Sequence, residues 1–278
     1  MKSLVAVGAG YGNIVMATPT IRAMQSMGAT DVTICKTSGP DAHELFADWA
    51  NVVKMPEPSH YDAIIQTVWS DGHWGAQRNT YAPDRALNGT VHESLVNMTA
   101  AYGAGFVGDV PEPMVGTIRP EQFLDDEPFV AICPGCGGGS FWERKRWGGW
   151  ESLCAGLEAR GERVIILARA EDFAPWMNGY RMALGTLSIG EVAFVLGEAK
   201  CVVGIDNGLA HIAAALRKRT TVIFGATSEI KNRPIGGNVT VIAANIECRP
   251  CQMDRGKWDA CKDWRCMEIS VEMVLGAI

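Results

Sequence analysis

The stretch Cys201-Val202-Val203-Gly204-Ile205-Asp206-Asn207-Gly208-Leu209-Ala210-His211-Ile212-Ala213-Ala214-Ala215-Leu216, followed after a polar turn by Thr221-Val222-Ile223-Phe224, carries one complete structural unit. A short apolar run (Cys201–Ile205) stops at Asp206-Asn207-Gly208. A small-residue segment with helical spacing follows (Leu209–Leu216), and then a second apolar run (Thr221–Phe224). Apolar runs of this length, bounded by turn residues and alternating with helical pattern, read as strand, helix, strand. Such a unit makes a parallel sheet with its helix packed on one face.

The same alternation repeats outward. Upstream lie a strand at Phe129–Cys133, a helix near Trp150–Arg160, a strand at Arg163–Leu167 and a helix at Ile189–Ala199; a short helix at Val271–Ala277 follows a Cys-rich tail. Gly108–Pro128 interrupts the alternation with Pro111, Pro113, Pro120 and Pro128 and the acidic run Asp125-Asp126-Glu127, which reads as a linker. Before it come strands at Leu4–Gly8, Val32–Cys35, Asn51–Met55 and Ala63–Val68. Helices are expected at Ile14–Met27 and Val91–Tyr102, the first kinked or started late by Pro19. The expected fold is α/β, with two Rossmann-like, doubly wound domains over residues 1–118 and 119–278, the second including a Cys-rich tail at 248–266. Ligands in such sheets sit outside the carboxyl ends of the strands and favour domain interfaces, so the loops that follow strands and the cleft between domains are where chemistry is expected.

Length and composition agree. At about 150 residues per domain, 278 residues suggest two domains with cores of their own. Thirty-one glycines are about half as many again as average usage of about 7% gives, without the period of collagen. The net charge of −6 argues against a sequence-independent nucleic-acid coat, although a locally basic cleft is compatible with it. No run of 18 apolar residues is present, so no membrane span is expected. The opening Met1–Gly8 has one Lys and an apolar stretch too short for a signal peptide, so a cytoplasmic protein is expected. Nine cysteines there read as thiols or metal ligands rather than disulfides.

Five loops hold the candidate chemistry. Gly8-Ala9-Gly10-Tyr11-Gly12-Asn13 fails the dinucleotide fingerprint, because Asn13 stands where a third Gly is needed. It reads either as a tight strand-to-helix turn or as amides approaching a ligand at a helix start. Asp206-Asn207-Gly208-Leu209-Ala210-His211 would place free amides and His211 around an anion. Cys133-Pro134-Gly135-Cys136-Gly137-Gly138-Gly139-Ser140 precedes Arg144-Lys145-Arg146 framed by Trp142, Trp147 and Trp150. Cations beside a glycine loop suit a diphosphate, and Cys133/Cys136 leave a redox pair as a lesser option. Cys248, Cys251, Cys261 and Cys266 could form a closed tetrahedral thiolate site, structural in role, for zinc or iron; disulfides or packed thiols are the alternatives. Trp69-Ser70-Asp71-Gly72-His73-Trp74 could hold a polar acceptor or be a plain polar loop.

Taken in order, these elements resemble glycosyltransferase family 9, the ADP-heptose:lipopolysaccharide heptosyltransferases. Gly12-Asn13-x5-Pro19-x2-Arg22 resembles the family opening G-D-x5-P-x2-R. Lys145-Arg146-Trp147 resembles its K-x-W element, Asp206-Asn207-Gly208-Leu209-Ala210-His211 its D-[ST]-G-x-x-H element, and Phe224-Gly225-Ala226-Thr227 its F-G-x-T element; the four tail cysteines resemble its Cys-rich ending. The resemblance implies a GT-B fold and inverting sugar transfer from a nucleoside-diphosphate sugar, ADP-linked by analogy, with no catalytic metal. The donor would lie on the C-terminal domain and the acceptor on the N-terminal one. Lys145 would meet the diphosphate, Gly12, Asp206, Asn207, Gly208, Leu209 and His211 would surround it, and Glu171 or Asp172 would contact the ribose. The acceptor is a hydroxyl on a glycolipid, a protein, a small molecule or a modified nucleobase.

One departure matters. The family's Asp in that opening implies a general base, and this chain has Asn13, whose amide cannot accept a proton near neutral pH. Three readings follow: the base has moved, with Asp71 and His73 the candidates; Asn13 only orients the acceptor; or the protein binds a sugar nucleotide without turning it over.

Overall fold

The structure is a computed structural model and describes residues 1–70, 79–121, 127–138 and 142–278, without the side chains of residues 182–184 and 255. The loop candidates Asp71 and His73, the acids Asp125 and Asp126, and Gly139, Ser140 and Phe141 lie outside the described residues.

The first half runs β1 (Lys2–Val7), α1 (Tyr11–Met27), β2 (Ala29–Ile34), β3 (Asn51–Val52), β4 (Ala63–Gln66), β5 (Thr80–Tyr81) and α2 (Glu93–Gly103). Its five strands are parallel, in the order β3-β2-β1-β4-β5. The second half begins with β6 (Val130–Cys133), α3 (Trp150–Ala159), β7 (Val164–Ala168) and β8 (Arg181–Leu184). It continues with α4 (Ile189–Glu198), β9 (Cys201–Ile205), α5 (Gly208–Ala215) and β10 (Thr220–Phe224). It closes with α6 (Glu229–Asn232), β11 (Val239–Ala243), α7 (Arg255–Ala260) and α8 (Val271–Gly276). These six strands are also parallel, in the order β11-β10-β9-β6-β7-β8. Both orders reverse direction once, between β1 and β4 and between β6 and β9. These reversals are the switch points where doubly wound sheets bind ligands.

α1 starts at Tyr11 and runs through Pro19, so the late start expected as one alternative does not occur. Pro19 has no N–H to offer the carbonyl of Val15, but the Thr18 hydroxyl donates to that oxygen at 2.8 Å. The lost backbone bond is thus replaced by its neighbour's side chain. Three strands escaped the sequence reading: the two-residue edge strand β5, the four-residue edge strand β8 and the edge strand β11. No helix or strand is described between Gly103 and Val130.

The halves touch through their helices. Ile14, Val15 and Ile21 of α1 share one buried cluster with Ile189, Val195 and Ile212 of α4 and α5. Asp41 and Glu44 from the first half accept the Ile189 and Gly190 amides at 2.8 and 2.9 Å. Two acids of one half therefore sit at the positive end of a helix of the other. The second sheet's other face packs against α3, α8 and the Cys-rich tail, with Trp147, Trp150 and Trp258 buried there.

Candidate active site

At the second switch point, β9 ends in a fully buried run and hands over to α5 through Asn207. Asn207 is the N-cap. Its Oδ1 accepts the Ala210 amide at 3.0 Å, and its Nδ2 donates to the carbonyls of Cys133 and Gly135 at 3.1 and 2.8 Å. It ties the ends of β6 and β9 together, a scaffold role that the sequence pattern did not separate from ligand contact. The first-turn amides of Gly208 and Leu209 lack intrahelical partners by helix geometry and point out of this end.

Asp206 is buried beside them. It receives Lys145 Nζ at 3.2 Å and Asn232 Nδ2 at 3.3 Å, and His211 Nε2 lies 3.9 Å away. Burial pushes its carboxyl up, but the Lys145 ammonium and His211 outweigh burial and hold it below the ordinary range. Burial lowers His211 to about 4 against the pull of Asp206, so its imidazole is neutral at pH 7. Lys145, itself buried, also lies 4.7 Å from the centre of the Trp142 ring.

The two acids after β7 part company. Asp172 is enclosed and bridges Arg146 at 3.1 Å and Arg169 at 3.0 Å; a Cβ on Gly135 would run into its Oδ2 and force this carboxylate to shift. Glu171 stays 61% exposed, paired with Arg169 at 2.8 Å. Of the pair, Glu171 is open to a ligand and Asp172 locks the loop.

Directly opposite stands the opening turn of α1. A Cβ on Gly208 would lie 2.9 Å from the Tyr11 Cβ and 3.1 Å from the Gly12 nitrogen, and one on Gly12 would lie 3.0 Å from His211 Cδ2. The starts of α1 and α5 therefore meet glycine to glycine. Here the structure adds a group the sequence did not suggest. Asn13 Nδ2 donates to Glu93 Oε1 at 2.9 Å, and Trp69 Nε1 donates to the same oxygen at 2.9 Å. Glu93 Oε2 pairs with Lys231 of α6, both side chains being buried. Lys231 also reaches Asn232 Oδ1 at 3.2 Å, and Asn232 reaches Asp206. His92, beside Glu93, donates from Nε2 to the Arg233 carbonyl at 2.7 Å while its Nδ1 accepts the Ser94 amide. Burial lowers its pKa, which agrees with this neutral tautomer.

The four tail cysteines come to one small cavity of about 30 Å³, with Arg144 and Arg249 also on its wall. Cys251 and Cys266 are buried, Cys261 is half-buried and Cys248 exposed; all are free thiols. Burial, with the neighbouring cysteines adding to it, pushes Cys251 up and Cys266 up to about 11. A donor set of four thiols suits zinc or iron, and the cavity has room for one ion-sized occupant. As placed, however, no three His, Cys, Asp or Glu side chains among the described residues stand close enough together to hold a metal ion. Cys133 and Cys136 are both buried with raised thiols, the reverse of what a reactive redox pair needs.

A family model described as glycosyltransferase family 9 (heptosyltransferase) matches residues 115–260, which contain Lys145, the Asp206–His211 turn and most of the Cys-rich tail. The chain belongs to this family. Lipooligosaccharide heptosyltransferase 2 of Haemophilus influenzae is 26% identical over 166 residues, 55% of this chain and 46% of that protein. Lipopolysaccharide heptosyltransferase 1 of Pseudomonas aeruginosa is 31% identical over 121 residues, 41% of this chain and 34% of that protein. The matched segments thus span under half the length of these curated relatives. Among solved structures, E. coli ADP-heptose lps heptosyltransferase II superposes with a TM-score of 0.73 at 16% identity, covering 100% of this chain and 97% of that one. The iron-containing dodecameric glycosyltransferase TibC from enterotoxigenic E. coli H10407 gives 0.69 at 18%, covering 99% and 76%. These likenesses show the fold: the family 9 chain is a GT-B protein of two Rossmann-like sheets. No helix among the described residues is long and apolar enough to cross a membrane.

Proposed function

We propose that this family 9 protein is an inverting glycosyltransferase that moves a sugar, heptose by analogy, from an ADP-linked donor to a hydroxyl acceptor. One observation carries the reading. Lys145 and the opening turn of α5 meet at the second switch point, facing the opening turn of α1 across the contact between the halves. In the reaction the acceptor oxygen attacks the anomeric carbon, the bond from that carbon to the diphosphate oxygen breaks, and its electron pair stays on the leaving diphosphate. The acceptor's proton passes to a base. Lys145 and the α5 amides stabilise the departing charge, so the catalytic step asks for no metal. Asp206 and Trp142 hold the Lys145 ammonium in place, and the exposed Glu171 is the acid that meets the ribose. We assign the donor to residues 119–278 and the acceptor, whose identity is open, to residues 1–118. We place the reaction in the cytoplasm, where a chain with nine cysteines and no disulfide in its structure would keep its thiols.

At the tail, a structural zinc or iron bound by Cys248, Cys251, Cys261 and Cys266 would fix the loop after β11. TibC, of the same fold, is an iron-containing glycosyltransferase. A second reading, a sugar-nucleotide binder without turnover, is favoured by the amide at Asn13 alone.

Lys145→Ala tests the main reading. It should weaken ADP binding, measured by calorimetry, and lower kcat/KM for ADP-heptose by about 10²–10³, the usual cost of one group lost from a charge-stabilising site. Unchanged kcat/KM in a folded variant would move the diphosphate elsewhere.

A further inference from the structure

We propose that Glu93 is the general base of this chain, a residue on α2 that no sequence pattern marked. The proposal rests on the glycosyl-transfer reading above. Among the described residues, two buried carboxylates stand where α1 and α5 meet, Asp206 and Glu93. Asp206 is committed to Lys145, Asn232 and His211 on the donor side. Glu93 belongs to the acceptor half and reaches the first turn of α1. Its two oxygens are used differently. Oε2 is anchored by the Lys231 ammonium, a buried counter-charge. Oε1 faces the two neutral donors that cover it, the half-buried Asn13 and the 44% exposed Trp69.

A carboxylate only accepts hydrogen bonds, so Asn13 must turn its NH₂ toward Glu93. An Asp at position 13 would put two carboxylates at hydrogen-bond distance, and such a pair resists double ionisation. Asn13 and Glu93 therefore form one unit with a single negative charge, carried by Glu93. An acceptor hydroxyl that replaces the Asn13 amide as a donor to Oε1 is placed for attack. As its oxygen bonds to the anomeric carbon and the diphosphate leaves with the C–O electron pair, its proton goes to Oε1. Glu93 becomes a neutral acid beside Lys231, and Asn13 supplies no proton chemistry. The charged and titratable groups around Glu93 are Lys231 of α6, its neighbour His92, His211 of α5, and Asp206 beyond Asn232.

The test follows ADP release from ADP-heptose by the full chain, with water and with added glycerol as the hydroxyl, and ADP binding by calorimetry. Glu93→Gln should keep ADP binding, lower kcat at least about 100-fold, and lose the acidic limb of the kcat–pH profile. The exchange Asn13→Asp with Glu93→Gln, which keeps one carboxylate and one amide in the pair, should restore much of the rate. It also keeps the test standing if Glu93→Gln alone fails to fold. The assignment is overturned if folded Glu93→Gln keeps its rate and acidic limb, or if the folded exchange variant is inactive. It is equally overturned if Asp71→Asn or His73→Ala abolishes turnover while Glu93→Gln does not. A wild-type protein that binds ADP yet releases none from ADP-heptose also overturns the base and leaves donor binding intact. Failure to bind any nucleoside diphosphate overturns the functional reading itself.

Discussion

Replacing Lys231 by Met removes the cation from a pair whose side chains are only 4% and 0% exposed. Glu93 then keeps two neutral donors, Asn13 and Trp69, and no counter-charge. Stripping one partner from a buried ion pair costs about 3–5 kcal/mol, because the other charge is left in a medium that cannot solvate it. A second route limits the cost: the variant can fold with the carboxyl protonated. A glutamic acid in an unfolded chain titrates near about 4.3, and each unit is worth about 1.4 kcal/mol, so that route costs about 4 kcal/mol at pH 7 and about 1 kcal/mol at pH 5. The sign follows from proton counting. In this interval the variant's native state holds a proton that its unfolded state has lost, so stability falls as pH rises. Urea unfolding of Lys231→Met should therefore show a deficit of about 4 kcal/mol at pH 7, shrinking to about 1 kcal/mol at pH 5. Lys231→Met with Glu93→Gln removes both charges of this pair and should recover most of the loss at pH 7. A deficit that stays flat between pH 5 and 7, or a double variant no more stable than the single one, would refute the claim that an uncompensated carboxylate is the cause.

His211 supplies a pH dependence of opposite sign in the wild-type protein. Its pKa falls from 6.5 to about 4 on folding, so the unfolded chain binds its proton first; the stabilisation is complete above about pH 6.5 and is lost as pH falls toward 4, about 3 kcal/mol in all. His211→Phe should lose that much less stability than wild type between pH 7 and 4 in urea melts, and equal losses would remove the buried neutral imidazole as the source. For the tail, elemental analysis of protein purified under reducing conditions should find about one zinc or iron per chain. Cys251→Ser should abolish that metal and lower the melting temperature; metal-free protein with an unchanged melt would leave four packed thiols.

Most of the frame could be read from the chain because both sheets are parallel. Buried parallel strands are continuous apolar runs that stop at Gly, Asn or Asp, as Cys201–Ile205 does before Asp206-Asn207-Gly208. The strands that went unseen are short edge strands: β5 has two residues and β8 four, too few for a run to stand out. Pro19 misled for a local reason: the breaker rule counts the missing N–H but not the hydroxyl one residue earlier that replaces it. That Lys145 and Asp206–His211 come together could be read from the chain because both follow strand ends at one switch point of the sheet.

The surroundings of Asn13 resisted reading because their contacts cross the chain. Asn13 meets Glu93 80 positions on, and Glu93 meets Lys231 a further 138 positions on, in the other half of the molecule. No periodicity links those three. On a helix drawn from sequence, His92-Glu93-Ser94 is an ordinary capped start with an acid in its first turn, where carboxylates commonly sit for the helix dipole alone. What separates Glu93 from that common case is that α6 of the second half covers it and supplies a cation. The same contact explains how an amide is tolerated at position 13. A catalytic pattern at residue 13 asks for one charge, whereas the folded site asks only that one charge lie within reach of the acceptor. The hydrogen bond from Asn13 to Glu93 lets a side chain on another helix carry it, and sequence spacing around position 13 cannot register that exchange.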